Sequence, residues 1–200
     1  MSEITFDRSL LLGQKKNDRA DRTLDVLLTV VLVLLVFVLF VKVFWFEPVT
    51  VDGKSMNMTI EDGDLLVMDK LSSYSYGDIV IVKISENTNY VKRIIGMPGD
   101  TIRNDEQGRV HRISSDGTET ILDEPYAYFD PELGNGTYLR GTGLFSYTLA
   151  DDEIFVMGDN RYHSQDGRAL GPMKTSAVMG VVHQWVVDQR YRLQWLYKYI

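Results

Sequence analysis

Three stretches of this 200-residue chain carry side chains able to do nucleophilic or acid–base chemistry. In VDGKSMNMTIEDGD, residues 51 to 64, Ser55 stands in a glycine-flanked turn just after a long apolar run. A serine hydroxyl is a weak nucleophile near neutral pH and needs a base within hydrogen-bond reach. In NYVKRIIGMPGD, residues 89 to 100, Lys92 is flanked by Tyr90, Val91, Ile94 and Ile95. Burying an ammonium among such neighbours lowers its pKa and frees an amine able to take a serine proton. Alternation along a strand puts Tyr90, Lys92 and Ile94 on one face and sends Arg93 the other way. The plainer reading of Lys92 is a strand lysine whose stem packs while its head reaches water.

The third stretch, VMGDNRYHSQDGRALG at 156 to 171, runs from a strand into a turn dense with Asp159, Asn160, Arg161, Ser164, Asp166 and Arg168. A hydroxyl such as Ser164 could orient a neutral lysine amine without adding charge, and Asp166 could pair with Arg168 to brace the turn. Histidine is the competing base. His111 is expected in an exposed hairpin and His183 as a packed residue of an apolar strand. His163 adjoins Ser164, but neighbours on an extended segment face opposite ways, so a His163, Ser164 and Asp166 triad within four residues is sterically implausible.

The elements that must position these groups fall into three regions, expected at residues 1–23, 24–46 and 47–200. The first is polar, mixes Arg8, Lys15, Lys16, Arg19 and Arg22 with Glu3, Asp7, Asp18 and Asp21, and reads as a mobile tail. From Val26 to Val41 every residue except Thr29 is apolar. Extending from Leu24 to Phe46 gives roughly 34 Å of helix at ~1.5 Å per residue, the thickness of a bilayer core. Lys42 can snorkel at its edge, Phe44, Trp45 and Phe46 supply an aromatic belt, and Pro48 is expected to end the helix. A core helix would show a polar stripe, and a cleaved leader would be followed by small residues rather than by VKVFWFEPVTVDG. Five Lys/Arg before the span, against Lys42 and Lys54 close after it, place the N-terminus in the cytoplasm and the remainder outside.

Beyond the anchor the chain changes to short β-branched runs, expected as strands at 49–52, 65–70, 78–83, 90–95, 101–103, 109–113, 153–157 and 178–187, with turns at Asp62-Gly63, Tyr76-Gly77, Pro98-Gly99 and Asp116-Gly117. This pattern predicts a mostly β, antiparallel sandwich or barrel-like domain rather than βαβ units. Residues 104 to 150, with Gly134, Gly136, Gly141 and Gly143, read as a hairpin followed by a long surface loop. A net charge of −7 excludes a nucleic-acid footprint, and the absence of cysteine excludes disulfides and thiolate chemistry.

The apolar anchor, DGKSMNMT at 52–59, GDIVIV at 77–82, VKRIIGMPGD at 91–100 and GDNRYHSQDGR at 158–168 together resemble the type I signal peptidases, in the order in which that family carries them. The resemblance implies a membrane-anchored serine/lysine endopeptidase that removes signal peptides from exported preproteins after a small residue, in an Ala-X-Ala-like pattern. It implies Ser55 as nucleophile, Lys92 as general base, and Ser164, Asp166, Arg168 and Asp159 as supporting groups. It further implies an oxyanion site that includes the backbone N–H of Ser55, and small-residue subsites walled by Met56, Tyr90 and Val91. No metal or cofactor is implied, and the partners would be signal peptides, membrane lipid and the secretion translocon. Met58 stands where the family usually has proline, Gly167 where it usually has serine, and Pro172 and Met173 where an aliphatic residue is common. A specialised pilin or conjugation-protein peptidase, or a tethered scaffold that binds signal peptides without cutting, are the alternative readings.

Overall fold

The computed structural model describes residues 8–128 and 143–190, with side chains of its first helix described from Ala20 onward except at Lys42. The chain divides into two units, 1–45 and 46–200, each considered by itself.

The first unit is one helix, α1 (Arg8–Phe44). Its stretch Ala20–Val41 is long and apolar enough to cross a bilayer, and protein buries none of it. Thr29, the one hydroxyl in the apolar run, turns back on the helix and donates to the Asp25 carbonyl at 2.8 Å, so no polar group faces outward unsatisfied. The expected tail is helical from Arg8. Once a stable helix exists, adding residues to its end needs no new nucleus, so a segment carrying the helix formers Leu, Lys and Arg extends it. The expected role of Lys42 at the boundary lies outside the described residues, as do Gly134, Gly136 and Gly141.

The second unit begins two residues before Pro48. Proline disfavours helical backbone at its predecessor, and Val49 and Thr50 favour extended chain, so the helix stops at Phe44 and β1 (Phe46–Thr50) contains the proline that was expected only to terminate. Among the described residues β1 is an edge strand paired with β2 (Leu65–Asp69), where a residue without an N–H is tolerated.

The remaining strands are β3 (Ile79–Ser85), β4 (Thr88–Gly96), β5 (Thr101–Asn104), β6 (Val110–Ile113), β7 (Glu119–Ile121), β8 (Ser146–Thr148), β9 (Glu153–Met157), β10 (Met173–Lys174) and β11 (Val178–Val182). They form a seven-stranded sheet in the order β1-β2-β11-β3-β4-β9-β10 and a four-stranded sheet in the order β7-β6-β5-β8. Every pairing between these strands is antiparallel, and one isolated parallel bridge joins Tyr128 to Asn160. The mostly β fold thus follows from the short β-branched runs. β3 is buried on both faces: Ile79 and Ile81 join a cluster with Met56, Ile60 and Leu66, whereas Val80 and Val82 join one with Ile94, Ile154 and Val156. At about 1.5–3 kcal/mol per buried aliphatic side chain, this central strand makes both layers mutually dependent.

A register shift between Ile94 and Gly96 bends β4 toward the second sheet, whose core is Ile95, Ile102, Val110, Phe145, Phe155 and Met157. A Cβ at Gly96 would lie 2.6 Å from the Ile102 side chain, so the bend requires a residue without one.

Three expectations need correction here. The run 178–187 is not one strand: β11 stops at Val182 and α3 (Gln184–Asp188) follows, burying the adjacent residues Val186 and Val187, which a strand would send to opposite faces. His183 sits at that junction, its Nε2 3.1 Å from Asp69, rather than in apolar packing. His111 is buried rather than exposed, its ring nitrogens 2.9 and 3.0 Å from Glu119 and Asp105. The short strands β7, β8 and β10 were not anticipated, because two or three residues cannot display an alternation.

Candidate active site

Residues 51 to 64 form a closed loop between β1 and β2. The Val51 N–H donates to the Asp64 carbonyl and the Gly63 N–H to the Val51 carbonyl, both at 2.9 Å, while the Gly53 N–H donates to Asp62 Oδ1 at 2.9 Å. Met56 and Ile60 plug the loop into the core, and the Ile60 N–H reaches the Met56 carbonyl at 2.9 Å, closing one helical turn. Ser55 is thereby presented at the N-terminal end of that turn, and its own N–H has no hydrogen-bond partner among the described residues. Met58, with φ +82°, is the one non-glycine residue among those described in the left-handed region.

Lys92 comes from β4, paired with Val80 of β3. Only 2% of its surface is exposed, and its Nζ donates to Ser55 Oγ at 2.7 Å and to the Val91 carbonyl at 3.0 Å. The Tyr90 ring, two residues back on the strand, lies 4.8 Å from the amine. Burial is the main reason its pKa falls to about 8 from 10.5; Asp166 and Asp159 work against that fall and Arg168 with it. The arrangement departs from the reading in which the head reaches water. Arg93, next in sequence, takes other partners: Nε and Nη2 grip the Asp159 carboxylate at 2.9 and 2.6 Å, and Nη1 donates to the Gly77 carbonyl at 2.8 Å.

The turn after β9 supports both groups. Asp166 caps α2 (Gly167–Leu170), pairs with Arg168 at 2.9 Å and accepts the Gly158 N–H at 2.9 Å. Burial alone would raise the Asp166 carboxyl, but Arg168 and the Gly158 N–H outweigh it and hold the group below its ordinary range. Asp159 accepts the Thr59 hydroxyl at 2.6 Å, and the Asn160 N–H donates to the Ser55 carbonyl at 3.0 Å, tying the turn to the Ser55 loop. A Cβ at Gly158 would fall 2.4 Å from that Ser55 carbonyl oxygen and 2.3 Å from Ser164 Oγ, so close approach here depends on glycine.

Ser164 does not hold the lysine as expected. Its Oγ is buried beside Gly158 without a hydrogen bond, close enough to Asp166 to favour the carboxylate without reaching bonding geometry. Met56 is not a cleft wall either: the residue after Ser55 points into the core, where its sulfur accepts the Asp159 N–H at 3.4 Å. Sequence reasoning missed Glu124, which arrives from the stretch that showed no alternation and grips Arg161 through both carboxylate oxygens. Arg161 Nε in turn donates to the Gly158 carbonyl at 3.0 Å. The density of charge in the 158–168 turn was a signal that such a counter-ion must exist, though not where.

Ser55 and Lys92 open onto a cleft of about 470 Å3 lined by Val49, Val51 and Asp52 on one side and by Asn89, Tyr90 and Val91 on the other. The model of the family described as signal peptidase, peptidase S26, matches residues 24–187. The chain belongs to that family. It is accordingly a serine-type peptide-bond hydrolase of the signal peptidase class. It is 36% identical over 157 residues to signal peptidase I P of Bacillus subtilis subsp. natto, covering 75% of this chain and 81% of that protein. It is 35% identical over 173 residues to signal peptidase I of Bacillus licheniformis, covering 83% and 87%. Signal peptidase IB of Staphylococcus aureus strain Mu50 is 30% identical over 154 residues, covering 70% and 76%. A crystal structure of a signal peptidase I from Enterococcus faecalis V583 aligns with a TM-score of 0.44 at 24% identity, over 56% of this chain and 98% of that one.

Proposed function

We propose that this signal peptidase family member cleaves signal peptides from exported preproteins after a small residue, with Ser55 as nucleophile and Lys92 as a neutral general base. The observation that carries the reading is a buried lysine amine 2.7 Å from a serine hydroxyl at the end of an open cleft. With its pKa lowered to about 8, a useful fraction of Lys92 is unprotonated near neutrality. As Ser55 Oγ attacks the scissile carbonyl carbon, Lys92 Nζ takes the hydroxyl proton. The same proton then passes to the leaving amine as the peptide bond breaks, giving an acyl-enzyme. Water attacks the acyl carbon in the second half, again losing its proton to Lys92, and Ser55 is regenerated. The unpaired Ser55 N–H is suited to receive the negative charge that develops on the carbonyl oxygen, a contribution of about 3–4 kcal/mol when such a donor is removed elsewhere.

The β1 edge and the Asn89–Val91 segment border the cleft, so a substrate can lie extended between them. On this reading Tyr90 and Val91, which line the cleft, are walls of the subsites for small side chains. The apolar helix anchors the chain in the cell membrane as a single span, and the charge bias before it sets the N-terminus in the cytoplasm and the catalytic domain outside, where preproteins emerge from the secretion translocon.

The test is cleavage of a peptide carrying Ala-X-Ala before the scissile bond by detergent-solubilised full-length protein. Wild type should cut after the second alanine, while Ser55→Ala and Lys92→Arg should be inactive yet bind the peptide, because a guanidinium stays protonated at any usable pH. Normal cleavage by Lys92→Arg would remove the lysine base.

A further inference from the structure

Ser164 and Asp166 point inward, whereas Gln165 between them points out, and its Oε1 accepts the Tyr90 hydroxyl at 3.1 Å. That bond joins two elements 75 residues apart and is the one described tie between the Gln165 side chain and the rest of the domain. Tyr90 is partly exposed, borders the cleft and turns its ring toward Lys92 at 4.8 Å. The phenol packs against the sheet-core cluster of Val80, Val82 and Ile94, and its outer end, the hydroxyl, is held by Gln165. We propose that Gln165 is a positioning residue which, by accepting the Tyr90 hydroxyl, holds the phenol ring as a cover over the Lys92 amine until substrate takes its place.

The proposal rests on Lys92 acting as the base. The groups facing that amine are Ser55 Oγ, the Val91 carbonyl and the Tyr90 ring at short range, with Asp166, Asp159 and Arg168 at longer range. The carboxylates favour the ammonium and Arg168 disfavours it, but exclusion of water is the largest influence. Tyr90 packs against the sheet-core cluster that includes Val80, Val82 and Ile94, and Gln165 holds its hydroxyl, the outer end of that enclosure. Releasing it admits water and favours the ammonium, whereas the attraction of a ring face for a cation acts in the opposite direction. The sign of the change therefore tells which role the ring has.

The experiment is the pH dependence of Ala-X-Ala peptide cleavage by full-length Gln165→Ala and Tyr90→Phe in detergent, from roughly pH 6 to 10. Each variant should move the rising limb of kcat/KM to higher pH by about half a unit, lowering it about threefold at pH 7. The limb of kcat should stay in place, because bound peptide covers the lysine itself. The double variant should shift no further than either single one. Superimposable kcat/KM profiles, a shift to lower pH, or an equal loss of kcat at every pH would each overturn the proposal. Activity in Lys92→Arg, by contrast, would overturn the base assignment, so the two failures are distinguishable.

Discussion

The ring of Phe155 on β9 occupies the space that a side chain at residue 167 would need: a Cβ placed on Gly167 would lie 2.8 Å from Phe155 Cε2 and 2.9 Å from the Val156 carbonyl. A serine at this position would therefore meet Phe155 and the Val156 carbonyl. Gly167→Ser should destabilise the domain by about 1–3 kcal/mol through overpacking. Phe155→Leu, destabilising alone, should recover part of that loss in the double variant. Thermal unfolding of the four proteins measures the coupling, and strict additivity would contradict the contact.

Met58 holds φ +82° in the loop that presents Ser55, with its side chain 69% exposed. Glycine there should raise stability by about 1 kcal/mol, since the left-handed conformation costs other residues that much and little packing is lost. Proline, whose ring fixes φ near −65°, should force the loop to rearrange and depress cleavage. Equal melting temperatures for Met58→Gly and wild type would argue against strain at this position.

Lys92 costs the fold what it gives to chemistry. Its pKa in the folded protein is about 8 against 10.5 for the free side chain, so between those values the unfolded chain binds more protons and stability rises with pH. Below about pH 8 the penalty is fully present. Lys92→Met, which fills similar volume without charge, should be inactive and more stable at pH 7 by about 1–3 kcal/mol. Chemical denaturation at pH 7 and pH 10 should show that advantage shrinking as pH rises.

The Asp166 carboxyl is depressed, so its contribution is present above the ordinary carboxylate pKa and is lost as pH falls through the lower folded value. Asp166→Asn removes the carboxylate that pairs with the Arg168 guanidinium and should cost about 3–5 kcal/mol at pH 7. Acid titration followed by circular dichroism should show a gap between wild type and variant that narrows as pH falls below the ordinary carboxylate range.

The strand runs around Ser55 and Lys92 were legible because each is long enough to show alternation, and the four expected turn glycines, 63, 77, 99 and 117, all have positive φ. Proximity of Ser55 to Lys92 was suggested by residue type and by family order, not by any local pattern, since it depends on the β3/β4 register and on the loop closed by Val51 and Asp64. The orientations of Ser164 and of Met56 were not legible for the same reason: a residue's type does not tell which side of a turn its side chain takes. His111 and Glu124 were illegible because their partners lie on neighbouring strands or in a distant turn, and burial of a charged group is visible only once its counter-ion is found.

The β3/β4 register has a consequence for how this protein would fail. Lys92 faces Val80 and Arg93 faces Ile79 across the hairpin, and a slip of one residue sends every side chain of a strand to the opposite face. The misaligned sheet would still contain a hairpin, but it would carry a permanently charged guanidinium toward Ser55 and strand a lysine beside Asp159. Such a molecule could pass as folded by its β content while being unable to take a proton. Active-site titration of a refolded sample would then count correctly threaded hairpins, making catalysis itself the assay for alignment of the sheet.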